Sequence, residues 1–216
     1  KTGTLTQNKM TVTRLFNGDR FYSVAKDSIF PEEFHEIIEY GILSSQTNPF
    51  DPMEKAILNM GEQYLKNTDH IHIDWQMVKE YPLSKDLLAM SRVFTDVKQS
   101  QQTIATKGAP EAIFELCHLT EERRAEMAKA VAELASQGLR VLGVAKAKAG
   151  NGHLPPIQHD FDFELVGLIA LSDPIRETVP AAVAECYQAG IRVIMITGDY
   201  PVTAMNSARE MDLKNR

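Results

Sequence analysis

Two short stretches carry the residue types from which phosphate chemistry is built. "SDPIR" holds Asp173 and Arg176, and "MITGD" holds Thr197, Gly198 and Asp199. Each closes a nearly continuous apolar run, "FELVGLIAL" and "IRVIMIT". A helical pattern, "ETVPAAVAECYQAG", lies between the runs, and another, "PVTAMNSAREM", follows them. A β-α-β-α order with strands apolar throughout predicts a parallel sheet with helices on its faces. Right-handed crossovers would bring both strand ends to one edge, where open sheets collect their chemistry. A glycine there lets the backbone come close to a phosphate. Each stretch also has a plain reading: Asp173 before Pro174 starts a turn, and Thr197-Gly198-Asp199 is an ordinary strand-to-helix loop. Their separation by a single crossover favours the chemical one.

Other elements must position these residues. Asn17-Gly18 between two β-rich runs signals a hairpin. "EEFHEIIEYGIL" spaces Phe34, Ile37, Ile38 and Ile42 along one helix face, with Pro31 suited to the first turn. In "DPMEKAILNMGEQYL", Asp51 is the expected N-cap, Pro52 the first helical residue, and Glu54 at N3 completes a capping-box-like arrangement. "DWQMVKEYPL", "LLAMSRVFTDV" and "QQTIATKG" read as a meander of strands. "APEAIFEL" and "TEERRAEMAKAVAELASQG" are helical, the second capped by Thr120 and ended by Gly138. "LRVLGVAKA" is a strand, and "KAGNGHLPPIQHD" a Gly/Pro-rich loop. The opening "KTGTLTQNKM", with a Gly between threonines, reads on its own as a turn.

The 216 residues suffice for one large domain or two modest ones. Twenty-nine acidic against 23 basic side chains leave a net charge of -6, which argues against a broad surface for nucleic acid. Cys117 and Cys186 are far apart and form no C-x-x-C pattern, which suits a reducing compartment. No run approaches the ~18 apolar residues of a membrane helix, and no leader pattern opens the chain. A cytosolic, water-soluble segment is the expectation.

"KTGTLT", "KGAPE", "DPIR" and "MITGD", in that order, resemble the P-type cation-transporting ATPases, and the likeness runs from Lys1 to about Arg216. The family motif reads D-K-T-G-T-L-T, its aspartate being the nucleophile that takes the γ-phosphoryl of ATP; this chain begins one residue later. The family's G-D-G-x-N-D segment lies beyond the last residue. The resemblance implies an α/β architecture: an incomplete HAD-like, Rossmann-type phosphorylation domain with a parallel sheet, into which an α+β nucleotide-binding domain on an antiparallel sheet is inserted. Residues 1–9 and 172–216 would belong to the phosphorylation domain and 10–171 to the nucleotide-binding domain. It further implies a protein at the cytoplasmic face of a membrane, with actuator and transmembrane domains as partners, that couples ATP hydrolysis to cation transport. Mg²⁺ and ATP are the implied cofactor and substrate. The segment itself is expected to bind nucleotide without turnover, since losing the nucleophile removes the covalent route. "KGAPE" and "DPIRETV" lean towards the branch that moves calcium or similar light cations.

Residue by residue, the likeness puts Lys1 and Thr2 beside the missing aspartate, with Thr2 holding phosphate and Mg²⁺, although a turn threonine would look the same. Thr197, Gly198 and Asp199 resemble the loop that contacts the phosphoryl group, and Asp173 with Arg176 the pair at the hinge. Lys107 and Gly108 match the nucleotide-pocket signature, the lysine offering a charge and an apolar stem for adenine. Arg140 in "GLRVL" resembles the arginine that reaches the phosphates. Asp51 and Glu54 match positions whose glutamate accepts from the adenine amino group, and helix capping explains both equally well. The pocket departs from the family at "PLSKDLLAM": Leu83, Lys85 and Leu88 stand where many animal members have an aromatic residue, Arg and Lys. A leucine covers a base without stacking on it as a π-system, so weak ATP binding is expected.

His70 and His72 alternate as two metal ligands would, but without a nearby third a solvated face is the expectation. The nine methionines read as core filler. Two further readings stand beside the pump segment: a free-standing HAD-type phosphatase with a cap domain, and a non-catalytic nucleotide-sensing module.

Overall fold

The computed structural model describes residues 3–7, 9–24, 29–96, 101–150, 154–197 and 201–214, with only the backbone of 201–203. Its strands are β1 (Thr11–Phe16), β2 (Phe21–Ser23), β3 (Trp75–Tyr81), β4 (Ala89–Asp96), β5 (Gln101–Gly108), β6 (Arg140–Gly150) and β7 (Glu164–Ser172). The helices are α1 (His35–Leu43), α2 (Pro52–Tyr64), α3 (Pro110–Leu116), α4 (Glu121–Ser136), α5 (Val179–Gln188) and α6 (Pro201–Glu210). All seven strands form one sheet in the order β2-β1-β7-β6-β5-β4-β3. Every neighbouring pair in it is antiparallel.

Local chemistry sets the element ends as expected. Asn17 Oδ1 accepts from the Asp19 and Arg20 amides, and Gly18 takes φ +99°, closing the β1–β2 hairpin. Thr120 Oγ1 accepts from the Arg123 amide at the start of α4, and Gly138 ends it at φ +79°. Pro31 precedes a single 3₁₀ turn, Glu32–Phe34, that leads into α1.

The parallel unit expected at the "FELVGLIAL" run is not what this run forms. It is β7, which pairs antiparallel with β1 on one side and β6 on the other. The apolar run reflects burial on both faces, and the direction of its neighbours leaves no mark on composition. Ile169 and Leu171 join the core under α1 and α2, with Leu15, Ile37, Ile38 and Ile57. Leu168 and Ala170 join the opposite core under α4, with Met127 and Leu134. The second expected strand, residues 191–197, has no strand pairing among the described residues.

A separate cluster lies where the chain leaves the sheet. Val179, Val183, Ala208, Met211 and Leu213 pack together with Leu5 and Ile175. The two terminal segments meet there: Thr6 bridges Ile175 antiparallel, Gln7 N donates to Pro174 O at 3.0 Å, and Arg176 N to Leu5 O at 2.9 Å.

His70 and His72 are not a solvated face. Both rings bond one carboxylate, Nδ1 of His70 to Oε2 of Glu39 at 2.5 Å and Nε2 of His72 to Oε1 at 2.6 Å, while His72 stacks on Trp75 at 3.7 Å. Glu39 is buried on α1, so the pair fastens the α2–β3 connection to that helix. Among the described residues, no three His, Cys, Asp or Glu side chains are placed to hold a metal. Glu39→Ala leaves two imidazole donors without an acceptor and is expected to lower stability by about 2 kcal/mol, measured as a shift of the urea midpoint at unchanged slope.

Candidate functional site

The antiparallel register gathers most of the candidate residues at one end of the sheet. β3 ends and β4 begins there, bracketing the Leu83–Leu88 turn, in which Ser84 Oγ accepts from the Leu87 amide at 3.0 Å. β5 ends there at Lys107 and Gly108, with Gly108 opposite Ala89 and Gly143. β6 begins there at Arg140, opposite Leu171 near the end of β7, and Asp173 and Arg176 follow. With strands ~4.8 Å apart, β5 and β7 are separated by roughly 10 Å, a span suited to an extended phosphate chain.

At the centre is a buried ion pair. Glu54 is 8% exposed and Lys107 7%. Lys107 Nζ donates to Glu54 Oε1 at 2.7 Å and to Ser44 O. Glu54 Oε2 accepts from the Gln46 amide at 3.3 Å. Burial lowers the proton affinity of Lys107 below the usual lysine range; the Glu54 bond and charge oppose this, Arg92 adds to it, and Asp51 opposes it.

The two acidic residues of α2 divide the roles that the sequence left open. Asp51 is the cap, its Oδ1 accepting from Met53 N at 2.7 Å and Glu54 N at 3.2 Å. Glu54 does not close a capping box, because both its oxygens are engaged with Lys107 and Gln46. In the neighbouring β3–β4 turn Leu83 is 60% exposed and Leu88 52%, and Lys85 between them is exposed.

Asp173, Arg176 and Arg140 lie along the same end, the arginines exposed. Arg176 Nη2 donates to Gly3 O at 3.0 Å, tying "SDPIR" to the opening "KTGTLT" segment. Asp173 Oδ1 is buried and has no hydrogen-bond partner among the described residues. Thr197 is half-buried and ends the described part of the 191–197 stretch. Lys1, Thr2, Gly198 and Asp199 lie outside the described residues.

Sequence reasoning missed Arg92, on β4, which is 8% exposed. Its Nε donates to Glu80 Oε2 at 2.8 Å and its Nη1 to Ser45 O. The available signal was a lone arginine in an otherwise uncharged stretch of strand.

An antiparallel sheet covered by helices, with a buried acid–lysine pair and two exposed leucines at one end, is a domain of the α/β class. The family model for the cytoplasmic N domain of P-type ATPases matches residues 49–178, and the chain belongs to that family. It is 28% identical to a calcium-transporting ATPase of Bacillus subtilis, over 99% of this chain and 28% of that protein. It is 33% identical to a calcium-transporting ATPase of Listeria monocytogenes, over 99% of this chain and 26% of that protein. Against the sodium/potassium-transporting ATPase subunit alpha-A of Artemia franciscana it is 30% identical, over 99% and 26% respectively. The chain thus spans about a quarter of the length of these relatives. Among the described residues no helix is long and apolar enough to cross a membrane.

Proposed function

We propose that the chain is the ATP-gripping part of a P-type pump that forms an aspartyl-phosphate and couples its hydrolysis to movement of a light cation across a membrane. The observation that carries this reading is the buried Glu54–Lys107 pair at the sheet end, beside the β3–β4 turn on which Leu83 and Leu88 are exposed. A carboxylate beside an ammonium complements a base edge with an amino donor next to a ring-nitrogen acceptor. Adenine has that edge; guanine presents a carbonyl and a ring N–H in its place. The base would lie between the leucines, with Lys85 and Arg140 reaching its phosphates.

The division into residues 1–9 and 172–216 as an HAD-like phosphorylation domain, and 10–171 as the nucleotide domain, belongs to the same reading. It is supported by the packing of Leu5 with the 175–213 cluster. Ile191, Ile194 and Ile196 are exposed, as residues of a strand within a larger parallel sheet would be before its neighbours cover them. The unsatisfied Asp173 Oδ1 suits a ribose hydroxyl or a cation. Mg²⁺ riding on substrate phosphates needs only one or two protein carboxylates, a demand that the buried Oδ1 of Asp173, unpartnered among the described residues, suits; by the family likeness, Asp199 would be a second carboxylate, and Lys1, Thr2, Thr197 and Gly198 would border the phosphoryl group. The bound metal would neutralise phosphate charge. Arg176 holds the two terminal segments together around that place. The actuator and transmembrane domains of the pump are the corresponding partners, at the cytoplasmic face.

Titrating the chain with ATP and with GTP while following amide NMR tests the reading. Millimolar ATP should shift signals around Glu54, Lys107 and the Leu83–Leu88 turn, and GTP should do so at least 10-fold more weakly. No shift with ATP would remove the assignment.

A further inference from the structure

Three consecutive backbone groups after the end of α1 are each held by a buried charged side chain. Ser44 O accepts from Lys107, Ser45 O accepts from Arg92, and the Gln46 amide donates to Glu54. The helix above them is already closed by its own serines, Ser44 Oγ bonding Tyr40 O at 2.7 Å and Ser45 Oγ bonding Gly41 O at 2.7 Å. The two carbonyls are therefore presented to the sheet at a helix C-terminus, where cations are favoured. Arg92 differs from the other two clamps in its second bond, which runs to Glu80 on the neighbouring strand β3 and away from the pocket. Its guanidinium fork spans a helix end and a strand in one rigid plane.

We propose that Arg92 is a positioning residue for the nucleotide pocket: by fixing Ser45 to β3 it holds the Ser44–Gln46 segment on which Lys107 and Glu54 are both anchored, and so sets the spacing of the acid and the ammonium that read the base. This rests on the reading of Glu54 and Lys107 as base contacts. An ammonium has three donors; Ser44 O and Glu54 take two, which directs the third. If Ser45 is released, Ser44 and Gln46 move with it, and both reading groups lose their reference at once. Displacements of this size, about 1 Å, are costly wherever two groups must meet a ligand together. Arg92 also faces Lys107 as a fixed positive charge, alongside the negative Glu54 and Asp51, while Glu80 neutralises it from β3.

The test compares wild type with Arg92→Lys, Arg92→Gln and Glu80→Gln, using ADP and GDP as probes by calorimetry on folded protein, with ¹⁵N signals of the Lys107 ammonium followed against pH. Arg92→Lys keeps the charge but replaces the rigid fork between Ser45 and Glu80 with a point charge on a flexible stem. It is expected to weaken ADP about 10-fold, to shrink the ADP-over-GDP preference, and to leave the Lys107 titration where it is. Arg92→Gln should weaken ADP by at least as much and move that titration upward. Glu80→Gln, which leaves both carbonyl contacts untouched, should cost about 3-fold and keeps the test available if Arg92→Gln does not fold. A merely structural arginine would lower the melting temperature of these variants while their folded molecules bound ADP as wild type does, with preference intact; that result overturns the proposal and leaves the pocket reading standing. Absence of ADP binding at Glu54 and Lys107 in wild type would instead remove both.

Discussion

Lys107→Met is expected to abolish measurable nucleotide binding, weakening it at least 100-fold, and to cost about 3 kcal/mol of stability. The second effect follows from what remains: Glu54, 8% exposed, would be left with the Gln46 amide but without its cation. Breaking a buried pair from one side leaves an uncompensated charge, whereas removing both charges together is often close to neutral. The double variant Lys107→Met/Glu54→Gln should therefore recover most of the stability and none of the affinity. If stability and affinity recover together, the pair serves packing alone. pH adds an independent check. The Lys107 proton is lowered in affinity first of all by burial, against the pull of Glu54. Below this lowered value both folded and unfolded chains hold the proton, and the burial penalty is present in full. Between it and the ordinary lysine range the unfolded chain binds more protons than the folded one, so this group's contribution to stability rises with pH. Nucleotide affinity, which needs the ammonium, should fall across the same alkaline window. Urea melts and ADP titrations from neutral to alkaline pH read both trends, and Lys107→Met should show neither.

Gly108→Ala is expected to destabilise by about 3 kcal/mol and to disable the pocket. A Cβ at this position would lie 2.2 Å from Leu88 O and 2.6 Å from Ala89 Cα. Both are backbone, so no side-chain rotation relieves the clash. Leu88 O is also the acceptor of the Ala109 amide at 2.8 Å, and pushing it away breaks that bond and moves the β3–β4 turn with its exposed leucines. Gly150→Ala, whose added methyl meets nothing within 4 Å, is the matched control and should stay within about 0.5 kcal/mol of wild type. Thermal melts with amide spectra separate the outcomes: a Gly108→Ala protein as stable as Gly150→Ala would mean that β4 and β5 do not approach so closely at their pocket end.

Where local chemistry decides, the sequence was legible. Asn17, Asp51, Thr120 and Gly138 mark element ends through bonds to residues two to four positions away, and such signals need no knowledge of the fold. The path of β7 was not legible, because Leu168 to Leu171 report burial on two faces and nothing about the direction of β1 and β6. The site divides in the same way. Lys107 and Glu54 stood out through motifs, but their contact spans 53 positions. Arg92 with Ser45 spans 47, and Glu39 with His70 and His72 spans 31 and 33. No periodicity encodes such pairings; they follow from strand register and from which helix lies over which strand.

The chain enters the sheet through β1 and leaves it through β7, and these strands are partners, with Thr11 opposite Ser172. Entry and exit are thus one strand spacing apart, ~5 Å. A unit whose ends nearly touch can be spliced into a surface turn of another protein without stretching either polypeptide, or rejoined end to end and opened elsewhere. Such a unit could be moved between proteins as a cassette, its sheet undisturbed by the polypeptide around it.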